Sequence, residues 1–260
     1  MARLTIFAKG NADLRDCLIA QSSGGAILWN GINMVLRESH PGWRAHVRHE
    51  TLGRSDALLA ATGAVPAGLD RALPLGAYPV ESQFATKLFD GGSDVAILSI
   101  QPDVMHALAR HRGDGHLFHP YGVDGWNAAD RAWLAANYLP CPPLEPEEAM
   151  DNLAHIAARL GHVLIFNMSP IVPWERIHNH RGLGEGLAER IRRFNLALIG
   201  LSRRTGISIV DVDALLARAG ALRLKRDAVH LTAGGCRLVA EEVVRILADR
   251  GCLPAADAAA

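Results

Sequence analysis

Short apolar runs alternate with longer amphipathic stretches along the whole chain, and this succession limits the folds open to it more than any other feature. Ser93 to Ile100 contains the unbroken apolar run Val95-Ala96-Ile97-Leu98, and Val163-Leu164-Ile165-Phe166-Asn167 is a second run of the same kind. Runs of this length without polar alternation suit strands covered on both faces, which is where a parallel sheet places them. Leu4 to Ala8 and Ile207 to Val210 are further strand-like runs, and Ala45-His46-Val47-Arg48-His49 alternates as a half-covered strand does. Helical stretches are expected at Leu14 to Gln21, Ala26 to Arg37, Val80 to Phe89, Glu145 to Leu160, Leu183 to Arg203, Asp211 to Ala219 and Cys236 to Asp249. Strand following helix in this way predicts an α/β fold, a three-layer α/β/α sandwich on a parallel, flavodoxin-like sheet.

With 260 residues, 49% of them hydrophobic and 21% charged, the chain can bury one sizeable core, so a single domain over 1–260 is expected, with a frayed Ala-rich tail at 255–260. Lys plus Arg balances Asp plus Glu at 27 each, so no net field draws in nucleic acid or an acidic membrane. The opening apolar run is too short for a signal peptide, and no stretch approaches the roughly 18 apolar residues of a membrane span. Both point to a cytoplasmic protein. Cys17, Cys141, Cys236 and Cys252 lack Cys-x-x-Cys spacing, which argues for reduced thiols and against a disulfide framework or a zinc site.

The candidate chemistry lies near the C-terminus, in Lys225-Arg226-Asp227-Ala228-Val229-His230-Leu231-Thr232-Ala233-Gly234-Gly235. Asp227 and His230 are three apart in a loop that leads into a helix, so a carboxylate can reach an imidazole. A carboxylate on one ring nitrogen fixes the tautomer, leaves the other nitrogen free to take a proton, and stabilises the imidazolium that results. The plainer alternative has Asp227 turning the chain and His230 near the helix N-cap, with Thr232 the better cap. A strand-like Ile207 to Val210 lies upstream, and a Gly-Gly-led helix follows.

This layout resembles the last catalytic block of the SGNH (GDSL-like) hydrolases, and the order of elements is similar along nearly the whole chain. The resemblance implies the same three-layer fold, with Asp227 and His230 as orienter and base. Its nucleophilic serine would sit after the first strand, where this chain has Lys9-Gly10-Asn11-Ala12-Asp13, with Gly10 or Ala12 opposite it and no nucleophilic atom. Asp56, in Leu52-Gly53-Arg54-Ser55-Asp56, falls at the usual oxyanion glycine. Asp103, in Gln101-Pro102-Asp103-Val104, falls at the oxyanion asparagine, where an ionised carboxylate would repel a developing oxyanion. The remaining substrate-binding candidates are Lys9, Asn11, Asp13, Arg54, Ser55 and Asp103. Lys9, Asn11 and Arg54 would hold an anionic group and Asp103 a cationic amine.

Residues 107–144 are long for a connection, so a lid or interaction insertion with one helix near Ala128 to Asn137 is expected there, a surface on which a partner enzyme could dock. His111, His116, His119 and Asp114 are all chemically able to bind a metal. Because no pair has helical or zinc-finger spacing, surface histidines in a Gly-rich loop are the expected reading, with no metal and no cofactor. His178-Asn179-His180-Arg181-Gly182 is a polar loop that can face substrate.

Three functions follow. One is an enzyme that keeps the base without a serine, acting on a small polar metabolite with an anionic group by intramolecular displacement, transfer or elimination. Another is a conventional esterase or deacylase using a serine such as Ser22, Ser55 or Ser169. The last is a non-catalytic relative that binds a partner.

Overall fold

The computed structural model describes residues 1–51, 53–69, 71–76, 78–171 and 185–254. The expectations for the loop at 178–182 and for the tail lie outside the described residues.

The first strand, β1 (Ala2–Lys9), runs into α1 (Ala12–Leu18), which is followed by a small hairpin, β2 (Gln21–Ser23) and β3 (Ala26–Trp29), and then by α2 (Ile32–Ser39) and β4 (Trp43–Glu50). The sequence suggests one helix from Ala26 to Arg37. Two features divide that stretch: Gly24 and Gly25 at φ 56° and 80° make the two-residue turn of a hairpin, and Gly31 at φ 73° breaks the chain again before α2. Gly31 is obligatory, since a Cβ there would lie 2.2 Å from the carbonyl oxygen of Ile19.

Two short helices follow, α3 (Ser55–Ala60) and α4 (Val80–Phe84), then the central strand β5 (Val95–Ser99) and α5 (Gln101–Met105). The helix expected to run to Phe89 ends at Phe84, because Ala85 takes an extended conformation before a separate 3-10 turn at Lys87–Phe89. The stretch 107–144 contains the expected helix, α6 (Ala128–Asn137). It also contains β6 (Leu108–His111), β7 (Leu117–Phe118) and β8 (Tyr138–Cys141), paired as an antiparallel sheet in the order β7-β6-β8. These strands are too short for periodicity to show, and Pro140 is tolerated because β8 lies at an edge.

The rest of the chain is α7 (Pro146–Ala157), β9 (His162–Phe166), α8 (Leu187–Thr205), β10 (Ser208–Val210), α9 (Val212–Ala219), α10 (Ala221–Leu224) and α11 (Ala233–Asp249). The main sheet is parallel throughout, in the order β10-β9-β5-β1-β4. Counted along the chain, that is the 2-1-3-4-5 order of flavodoxin-like folds.

Both faces are covered, and the period of two decides which side chain meets which layer. Ile6 and Ala8 of β1, Ile97 of β5 and Leu164 and Phe166 of β9 pack with α1, α2, α9 and α11. Phe7, Ala96, Leu98, Val163 and Ile165 point the other way, onto α7 and α8. Leu187, Ile191, Phe194, Leu198 and Leu201 give α8 one buried stripe at helical spacing, and the helix stops at Gly206 in the left-handed region. Among the described residues, no helix is long and apolar enough to cross a membrane.

Candidate active site at the carboxyl ends of the strands

Strand order reverses between β1 and β5, and the crevice beyond the carboxyl ends of two such strands is the usual ligand site of an open α/β sheet. β1 delivers Gly10, Asn11, Ala12 and Asp13 to that point, with Asn11 as N-cap of α1, and β5 delivers Ser99 and Gln101. The hydroxyl of Ser99 donates to Asp13 Oδ2 at 2.5 Å and accepts the Gln101 N–H at 3.0 Å, so the two strand ends are stitched together. Burial pushes the Asp13 carboxyl above the ordinary carboxylate range, against the opposing pull of the Ser99 hydroxyl.

A cavity of about 30 Å³ lies here, lined by Asp13, Gln101, Asn167, Ser169 and Lys225 on its polar side and by residues such as Val229 and Leu231 on the other. The Lys225 ammonium donates to the Ser169 carbonyl at 2.9 Å. Ala228, Val229 and Leu231 bring the loop that carries Asp227 and His230 to this cavity.

In that loop Asp227 accepts the backbone N–H of Val229 at 2.9 Å and of His230 at 2.8 Å, and its carboxylate lies 2.8 Å from His230 Nδ1. Burial works against ionisation of Asp227, but these N–H groups and the imidazole outweigh it and hold the carboxyl below its usual range. With Nδ1 engaged, Nε2 makes no hydrogen bond among the described residues. The loop is pinned at both ends by the bridge between Lys225 and Leu231 and by Thr232, which caps α11 by accepting from Gly235.

The other sequence candidates are placed differently. Lys9 is buried, with its ammonium 3.0 Å from Glu50 and also on the Ser82 carbonyl; desolvation lowers its pKa and Glu50 opposes the shift. Arg54 is fully buried. Its Nε and Nη2 grip Asp56 at 2.8 and 2.6 Å, and Nη1 donates to the carbonyls of His106 and Pro142. Expected to hold an anionic group, both cations are instead consumed by internal partners, because each is sealed from solvent beside its own carboxylate. Asp56 is therefore the counter-ion of Arg54.

Asp103 also needs correction. Its Oδ1 accepts both the N–H and the hydroxyl of Ser55, at 2.7 and 2.9 Å, so the pair locks the head of α3 to α5 and does not line the cavity. The residue that β5 delivers to the cavity lined by Asp13 is Gln101, two positions after Ser99. A neutral amide, not the expected carboxylate, thus stands at this strand end. Asn11 reaches a different partner, His106 Nε2, at 3.0 Å. His106 stacks on His119 with ring centroids 4.2 Å apart and planes 6° from parallel, and Tyr78 meets both rings edge-on.

Of the three serines considered as nucleophiles, Ser22 is exposed on the hairpin and Ser55 is bonded to Asp103, while Ser169 lines the cavity. No hydroxyl of a described residue is bonded to His230. Ser99, Gln101 and His106 are not among the sequence candidates, and His119, a candidate metal ligand with His111, His116 and Asp114, stacks on His106 instead. Counting from the end of β5 would have found Gln101, but nothing local marks the histidine pair.

The sequence matches no protein-family model and no curated protein. Among solved structures the chain is similar to LAE5, an alpha/beta hydrolase enzyme from the metagenome of Lake Arreo, Spain, at 16% identity and TM-score 0.51, covering 97% of this chain and 98% of that one. It is also similar to a GDSL-like lipase candidate from Parabacteroides merdae, at 13% identity and TM-score 0.51, covering 94% and 95%. These likenesses show the fold: the chain has the α/β architecture of SGNH (GDSL-like) hydrolases.

Proposed function

We propose that the protein is an enzyme of SGNH-like fold in which His230, oriented by Asp227, acts as general base on a small polar metabolite without forming an acyl-serine. The observation that carries this reading is the open Nε2 of His230, whose Nδ1 is held by Asp227 and to which no described hydroxyl is hydrogen-bonded. At the strand-to-helix corner the residue that opens α1 is Ala12. A substrate that carries its own amine or hydroxyl would lose that proton to Nε2, form a bond from the freed nitrogen or oxygen to an electrophilic atom of the same substrate, and expel the anionic group bonded to that atom, which leaves with the bonding pair. Asp13, whose carboxyl burial pushes above the ordinary carboxylate range, lines the cavity that Val229 and Leu231 also line, and would pass a proton to the leaving atom. Gln101 would supply a hydrogen bond to charge that develops there. A positioned base contributes about 10²- to 10⁴-fold, and holding both reacting groups of one substrate together contributes more.

The conventional serine reading rests on Ser169, the one candidate hydroxyl that lines the cavity. A single experiment separates the two. The protein is treated with a fluorophosphonate and analysed by intact mass and peptide mapping beside His230→Ala, and both are then incubated with amine- and hydroxyl-bearing metabolites. No serine adduct, with conversion of a metabolite lost in His230→Ala, is the expected result. An adduct on Ser169 that disappears in His230→Ala would establish the acyl-enzyme instead, and conversion that survives the histidine change would remove the base.

A further inference from the structure

Outside the crevice, one cluster of side chains converges without a role in the reaction above. His111 ends β6 and His116 precedes β7, so the antiparallel pairing of these two strands turns both imidazoles to one side of a tight loop closed by Gly115 at φ 77°. Two backbone bonds hold the loop: His111 N–H donates to the His116 carbonyl at 2.9 Å, and Gly115 N–H donates to the His111 carbonyl at 3.2 Å. Asp114 bridges the Nδ1 atoms of the two imidazoles. Its Oδ1 lies 2.8 Å from His111 Nδ1 and 2.5 Å from His116 Nδ1.

We propose that His111, Asp114 and His116 form a binding site for a borderline divalent transition-metal ion such as Zn²⁺ or Co²⁺. One ligand atom from each residue lies within 4.8 Å of the others, and a small movement of the side chains opens that triangle around an ion. Two imidazole nitrogens and one carboxylate oxygen form the donor set that such ions prefer over Mg²⁺ or Ca²⁺, which select oxygen. Three protein ligands leave at least one position for water.

A further observation fits coordination through Nδ1. Metal-bound histidines usually place the other ring nitrogen on a fixed polar partner. His116 Nε2 lies 2.8 Å from the hydroxyl of Tyr138, the first residue of β8, and Phe84 meets the same ring edge-on. The two imidazoles are already stacked, with centroids 4.7 Å apart and planes 13° from parallel, so little side-chain freedom remains to be lost on binding. A bound ion would tie β6, β7 and, through Tyr138, β8 into one unit. The same three residues without a metal would be a hydrogen-bonded loop that merely shapes the hairpin, and the experiment has to distinguish these two roles.

Chelator-treated full-length protein is titrated with ZnCl₂ by calorimetry and with CoCl₂ by visible absorption, for wild type, His111→Ala, His116→Ala, Asp114→Asn and a control, His155→Ala, on α7. Circular dichroism of each metal-free variant checks that it is folded. The expected result is one saturable site with the d–d absorption of low-coordinate Co²⁺, weakened by about 10-fold or more in each ligand variant, as loss of one ligand commonly does, and unchanged in His155→Ala. Absence of a saturable site, or affinity that stays the same in the folded His116→Ala and Asp114→Asn proteins, would overturn the proposal.

Discussion

Asp103 holds Ser55 by two hydrogen bonds to a single carboxylate oxygen, 2.7 Å from the backbone nitrogen and 2.9 Å from the hydroxyl. The carboxylate is fully buried, and its second oxygen has no partner among the described residues. Burial therefore dominates and raises its pKa from the usual 3.8 to about 7, although the Ser55 bonds oppose the shift.

The folded protein consequently binds a proton that the unfolded chain has already released, across the window from about 3.8 to about 7. Stability falls as pH rises through that window and levels off above it, with a slope of at most about 1.4 kcal/mol per pH unit from this group. Asp103→Asn keeps an oxygen for Ser55 and removes the titration. Urea unfolding of both proteins from pH 5 to pH 8 should show the asparagine variant gaining on wild type as pH rises. A difference that stays flat would mean that Asp103 is ionised throughout.

Arg54 offers five N–H groups, and the fork on Asp56, the carbonyls of His106 and Pro142 and the thiol of Cys141 take them up. Lysine in its place would keep the charge but lose the planar fork and the reach to β8. Arg54→Lys should cost about 3 kcal/mol in urea unfolding, the scale on which a buried pair resists losing one partner. Amide exchange in β8 should also quicken. A loss below about 1 kcal/mol, within the range of exposed ion pairs, would mean that water replaces the lost contacts.

What the sequence revealed divides by distance along the chain. β5 and β9 were legible because an apolar run buried on both faces needs no partner to be recognised, and Asp227 with His230 because three residues of one loop set their geometry. The bond from Asn11 to His106 joins residues 95 apart, and the stacking of His106 on His119 depends on where the insertion folds back, so neither leaves a local trace. Lys9 and Arg54 misled for a related reason. Lys9 at the end of β1 looks free until the fold brings Glu50 beside it, whereas the carboxylate that takes up Arg54 is only two residues away and what the sequence hid was the burial of that pair. The Gly24-Gly25 turn did have a local signal, outweighed by the apolar residues that follow it. Gln101, which the end of β5 places at the crevice, has no local feature as strong as the Pro102-Asp103 pair that follows it.

Asp227 sets the tautomer of His230, because its ionised carboxylate can accept only from Nδ1–H. Two-bond ¹H–¹⁵N spectra of the protein near pH 8 should show the Nδ1–H form, with Nε2 unprotonated. In Asp227→Ala the opposite tautomer should gain, and turnover of any substrate found should fall by about 10²-fold or more, as expected when a general base loses its orientation. An Nε2–H signal in the wild-type protein would contradict the assignment of His230 as base.

Gly31 governs the far end of the helix that begins at Asn11 and Asp13. A methyl group there would meet the carbonyl oxygens of Ile19 and Leu18 at 2.2 and 2.5 Å, both backbone atoms that cannot swing aside, and the backbone is already at φ 73°. Gly24, at φ 56°, has open space around it, so it isolates the conformational part of the penalty. Gly24→Ala should cost about 1 kcal/mol, the usual strain of a left-handed alanine. Gly31→Ala must also push the end of α1 away from the chain, and should cost at least about 3 kcal/mol or prevent folding. If it folds, α1 can relieve the clash by sliding toward its N-terminus, which would disturb the hydrogen bond between Ser99 and Asp13 and expose the cavity. Urea unfolding compares the two variants. Equal losses would show that the chain around Ile19 yields easily, and that the position of Asp13 does not depend on this glycine.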